Sequence, residues 1–176
     1  MPLTVAERGQ TIATFRHIEV RLMEIAAAWV PTTPEMEVKV LLGKHIWDFA
    51  QHADALGKRT FELRLPEQFS QKPSSGYVRL LDEVAAIEET SRRLAALYDA
   101  ILPGIERRYL RYVERTDTLL DAPSVVVVER ILQDLARQRR EADRLRGEIG
   151  LTPANAEDLR RQDGSLETVV VLRGEA

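Results

Sequence analysis

Residues 43–59, GKHIWDFAQHADALGKR, decide how the rest of the chain is read. They hold two of its three histidines, and His45, Asp48 and His52 follow one another at steps of three and four. Side chains so spaced share one face of a helix. Leu41 and Leu56 flank them on that face, so a predicted core-facing stripe carries three ionisable groups. Such groups are costly to bury bare; they pair with neighbouring helices or they hold a ligand.

The composition around this stretch suits a protein with a real core. A chain of 176 residues is most economically one domain, with 44% apolar and 30% charged residues. Its formal charge of -3, from 25 basic and 28 acidic residues, supplies no field that would draw it onto nucleic acid. Arg137, Arg139, Arg140, Arg144 and Arg146 are interleaved with Glu141, Asp143 and Glu148, the pattern of a solvated helix face. There is no cysteine, which removes disulfides, thiolate metal sites and cysteine nucleophiles. No signal-peptide pattern and no run of transmembrane length occurs, so the expectation is a cytoplasmic protein with no membrane partner.

Working outward, Thr4 and Glu7 form a candidate capping box, and Ile12, Phe15, Leu22, Ala26 and Trp29 recur at helical spacing behind it. This predicts a first helix over about residues 5–29. Thr33 is the expected cap of the second, with Pro34 in its first position and an end near Leu63. The polar stretch RLPEQFSQKPSSG, which follows, is long enough to return the chain to its starting end. A third helix is predicted from Tyr77, kinked or divided at Pro103. Asp121 is the expected cap of a fourth, with Val125, Val128, Leu132, Leu135, Ala142, Leu145 and Ile149 on its buried face. Beyond Gly150, a short helix capped by Thr152 and a strand or extended arm over Leu166–Leu172 complete the chain.

Glu19 is the most informative polar residue, because it falls in line with Phe15, Leu22 and Trp29. It pairs with a histidine or arginine of another helix, ligates a metal, or lies at the boundary of the core. His17 is placed at the rim. The aromatics Phe15, Trp29, Trp47, Phe49, Tyr98, Tyr109 and Tyr112 fill the interior or line an apolar cavity. Further acids at helical positions are Glu88 on the third helix and Glu129 on the fourth, with Asp134 as a substitute.

Over about residues 5–150 this layout resembles the ferritin-like superfamily, and GKHIWDFAQHADALGKR is similar to the second helix of its bacterial members. TDTLLDAPSVVVVERILQDL, residues 116–135, is similar to the entry into their fourth. The resemblance implies an all-α, ferritin-like four-helix bundle over 1–150 with a kinked third helix, and a short C-terminal extension over 151–176. It also implies a di-metal centre built from one glutamate on each of two helices and a Glu-x-x-His on each of the others. Glu19 fits the first single-glutamate role, Glu88 the second, and Asp48 with His52 approximates one paired motif. Glu129 begins the other, but residue 132 is leucine and no histidine follows His52.

The incomplete motif ranks the functions. The first expectation is a non-catalytic ferritin-like binding or assembly protein, without cofactor, that takes a small apolar molecule or a protein partner and forms a homodimer. The alternative is an oxidoreductase holding iron or manganese on a reduced ligand set of Glu19, His45, Asp48 and His52, with Glu88 and Glu129 ranked behind them. A metal-independent enzyme would use His52 as general base oriented by Asp48 or Glu19. Signatures for nucleotide binding and serine hydrolysis are absent; Gly43-Lys44 lacks the glycine-rich cradle of a phosphate loop.

Overall fold

The capping box forms in the computed structural model, which describes residues 3–166 and 168–172. Thr4 Oγ1 accepts the Glu7 amide and Glu7 accepts the Thr4 amide, opening α1 (Val5–Trp29). A single 3₁₀ turn, Val30–Thr32, leads to α2 (Met36–Glu62). Here the expected cap is corrected. Glu35 occupies the N-cap position, while the Thr33 hydroxyl donates back to the Trp29 carbonyl and accepts from Arg93.

The third predicted helix is also corrected. It divides far earlier than Pro103, into α3 (Ser75–Ala85) and α4 (Thr90–Leu94), because the Glu89 carboxylate caps the Ser91 and Arg92 amides at 2.9 and 2.7 Å. From α4 the chain continues without interruption through π turns over Ala95–Ile101 into α5 (Leu102–Arg115). Pro103, which has no amide to donate, sits in the first turn of α5, directly after those wider turns. α6 (Ala122–Glu148) closes at Gly150, whose φ of +65° suits a residue without a β-carbon. α7 (Glu157–Ser165) follows, with the Asn155 side chain rather than Thr152 accepting the Glu157 amide.

Side-chain pairs reveal the directions of the helices. Glu19 meets His52 and Arg16 lies against Gly57, so α1 and α2 are antiparallel. Lys44 with Glu141, His52 with Asp134 and Arg59 with Ser124 make α2 and α6 antiparallel. Glu106 with Arg139 and Asp99 with Arg146 do the same for α6 against the α4–α5 rod. The rod therefore runs parallel to α2, and the segment between them must climb back. It does: the Gln71 amide bonds the Ala13 carbonyl, Asp82 meets Arg21, and the Trp29 indole donates to the Ala85 carbonyl. So α3, expected as the start of a core helix, belongs to the returning crossover.

All described secondary structure is helical, and no described helix is long and apolar enough to cross a membrane. Trp29, Phe49, Tyr77, Tyr98 and Tyr109 are fully buried in one core, which Leu159 and Val169 join from beyond Gly150. α7 approaches α5 closely enough that a β-carbon on Gly104 would overlap the Asp163 carboxylate. Residues 168–172 form an extended arm tied by the Ser74 amide to the Val169 carbonyl at 2.8 Å, with no strand among the described residues. Glu167 and residues 173–176, part of the expected extension, lie outside the described residues, as do Met1 and Pro2.

Candidate functional site

Every polar residue that the helical stripes single out on α1 and α2 enters one network. Glu19, fully buried, accepts the Tyr109 hydroxyl on Oε1 at 2.6 Å and meets His52 Nδ1 with Oε2 at 3.1 Å. The other imidazole nitrogen, Nε2, faces Asp134 Oδ2 at 3.1 Å. Arg137 then donates to Asp134 at 2.8 Å and to Asp48 at 3.0 Å. Gln138 Nε2 also donates to Asp48, at 3.1 Å. Two turns further along α2, His45 Nε2 contacts Glu141 at 3.0 Å and Nδ1 contacts the Tyr98 hydroxyl at 2.7 Å. Lys44 completes this end on Glu141 at 2.6 Å.

The antiparallel register explains why these groups meet. His45 and His52 are seven residues apart on α2, as Glu141 and Asp134 are on α6, so each histidine reaches one α6 acid. Two turns of helix bring a side chain back to nearly the same face.

The two histidines are shifted in opposite directions. Burial alone would push His52 down, and it is the largest single influence. The Glu19 charge, the bond to Glu19 and the bond to Asp134 together outweigh it, and His52 is raised above its ordinary value. A carboxylate oxygen faces each ring nitrogen, so the protonated form, which can donate to both, is the one this arrangement favours. His45 is lowered, chiefly by burial and only partly offset by Glu141. Its neutral ring donates from Nε2 to Glu141 and accepts the Tyr98 proton at Nδ1. Burial pushes Glu141 up, but Lys44 and His45 together bring it down to about 2. Burial raises Tyr98 and Tyr109 as well, which keeps both hydroxyls protonated as donors.

The expected metal ligands are engaged with one another and with cations. Both nitrogens of each histidine are engaged, and the Arg137 guanidinium supplies the positive charge between Asp48 and Asp134. Among the described residues no three histidine or acidic side chains are grouped so as to hold an ion. Glu88 and Glu129 are exposed and take no part in the network, so the acids contributed by α6 are Asp134 and Glu141. His52, the expected general base, has a carboxylate oxygen facing each ring nitrogen. His17 is half-buried on the flank of α1, with burial the main cause of its lowered pKa.

Of the seven aromatics, Trp47 is 66% exposed and points away from the core; the other six are buried. The Asp134 end of the network opens into a surface groove of about 320 Å³ between α2 and α6, bordered by Gln51, Asp54, Lys58 and Arg130. Arg137 and Glu141, expected on a solvated helix face, turn into the network beside Gln138, and Asp134 and Glu141 carry the same seven-residue spacing as the histidines.

A second buried acid was read only as a cap. Asp121 does stand at the N-cap position of α6, but its carboxylate serves the core. It accepts the hydroxyls of Tyr112, Thr116 and Ser124 at 2.6, 2.7 and 2.6 Å, and Arg59 at 3.0 Å. Burial would raise its pKa; those four donors hold it below the ordinary aspartate value. Comparison with protein-family models, with curated proteins and with solved structures finds no match to this chain.

Proposed function

We propose that this chain is a non-catalytic, ferritin-like binding or assembly protein in which internal ion pairs stand where a metal centre would be. One observation carries the reading: His52 lies between Glu19 and Asp134 with both ring nitrogens committed, and Arg137 bridges Asp134 to Asp48. The acids that would neutralise a divalent cation are already neutralised by side-chain cations. The order of helix directions, with α2 parallel to the α4–α5 rod across a long connection, supports the ferritin-like part. Met36, Val40, Trp47 and Phe61, each at least 65% exposed, lie on one side of α2 and support the assembly part.

The test is metal analysis of protein expressed with added iron and manganese and purified without chelator. Far less than one equivalent is expected. Near-stoichiometric iron or manganese that disappears in Glu19→Gln and His52→Gln variants would overturn the proposal in favour of the reduced-ligand oxidoreductase.

A further inference from the structure

Two of the interior aromatics reach a cleft away from the polar network. Phe15 and Tyr112 line a half-open cleft of about 120 Å³ between α1, the end of α5 and the C-terminal arm. Leu3, Val169, Val170 and Leu172 add apolar walls, and Arg108, Arg111 and Arg115 border it along α5. The arm is not a loose cover, since the Ser74 amide holds Val169 and the Gln71 amide group holds the Val171 carbonyl, each at 2.8 Å.

The arginines differ in commitment. Arg108 is spent on Asp163 at 2.8 Å and on the face of Tyr77. Arg111 and Arg115 have no acidic partner within ion-pair distance among the described residues; the field of Arg115 reaches Glu7, whose carboxylate is already held in the capping box. Both guanidiniums are exposed, and they are four residues apart, neighbours on one helix face. Uncommitted guanidiniums beside aromatic and aliphatic walls are complementary to a ligand with an anionic head and an apolar tail.

We infer that this cleft binds a short-chain carboxylic acid, its carboxylate on Arg111 and Arg115 and its hydrocarbon against Phe15, Tyr112 and Val169. The cleft is small, about 120 Å³, and half-open, which suits a head group and a few methylenes rather than a long lipid. Carboxylate is favoured over a free inorganic anion because the walls are mostly apolar, and desolvating a multiply charged ion against them goes uncompensated. The inference rests on the binding reading of the chain, to which it adds a ligand class.

Hexanoate is the probe, titrated into the full chain while backbone amide resonances are recorded. Saturable shifts are expected at Thr11, Tyr112, Thr168, Val169 and Val170. An Arg111→Gln/Arg115→Gln double variant, with an unchanged melting temperature, should bind at least about tenfold more weakly, the order expected for losing charge-assisted hydrogen bonds. The neutral analogue 1-hexanol should lose as much, and inorganic phosphate should bind more weakly than hexanoate. Shifts scattered over the surface, equal binding of hexanoate and hexanol, or an unaffected double variant would each overturn the inference. Metal analysis reads the polar network and this titration reads the cleft, so a failure of the ligand class is distinguishable from a failure of the proposed function.

Discussion

Removing the Glu19 charge should destabilise the protein by an amount that depends on His52 and on pH. Glu19→Gln preserves the shape of the side chain and an oxygen for the Tyr109 hydroxyl, but it leaves a buried imidazolium with Asp134 as its remaining counter-charge. Breaking a buried pair from one side costs about 3–5 kcal/mol, and because Asp134 is retained the lower figure applies. For a chain of this length about 3 kcal/mol corresponds to a fall of roughly 6–12 °C in melting temperature. The raised pKa of His52 sets the sign of the pH dependence. Its contribution is fully present below the unfolded value of about 6.5 and is lost as pH rises through the raised folded value. The deficit of Glu19→Gln should therefore be larger in mildly acidic buffer than in alkaline buffer. Thermal melts followed by circular dichroism across that range, with His52→Gln and the double variant, make the measurement. In the His52→Gln background most of the Glu19→Gln cost should vanish, a coupling of about 0.5–3 kcal/mol. Equal costs in both backgrounds, or a melting temperature unchanged within about 2 °C, would refute the buried ion pair.

His45 should show the opposite linkage: its depressed pKa favours the neutral ring, so its contribution is kept above about 6.5 and lost as pH falls through the lowered value. His45→Gln should accordingly flatten the loss of stability below that pH in urea titrations. Asp121→Ala removes the common acceptor of Arg59 and three buried hydroxyls and should cost about 3–5 kcal/mol, measured by the same unfolding curves. Gly104→Ala puts a methyl group where the Asp163 carboxylate sits, so it should loosen α7 from α5. Amide exchange over Glu157–Ser165 is expected to speed up, while exchange in α1 and α2 stays slow.

Two features of the candidate site were legible before any coordinates. The steps of three and four placed His45 and His52 on the buried side of α2, and the line through Phe15 and Leu22 placed Glu19 on the buried side of α1. Local chemistry likewise announced the capping box, the end of α6 at Gly150 and the limits of α1. Periodicity reports which side of a helix faces inward, and caps report where it stops; both act within a few residues of sequence.

What it does not carry is the identity of the neighbour. That Asp134 rather than Glu129 meets His52, and that Arg137 stands between two acids, follows from the register of α2 against α6, set by packing over the whole length of both helices. The division at Glu89 had a local signal, an acid ahead of Thr90 and Ser91, yet the apolar spacing ran straight through it and masked the turn. Trp47 was expected inside because tryptophan is large and apolar, but its position on α2 faces away from α1 and α6, and geometry prevails over composition. Charge state is the most tertiary property of all. His45 and His52 are the same residue on the same helix, pushed in opposite directions by burial and by what three other helical segments place against them.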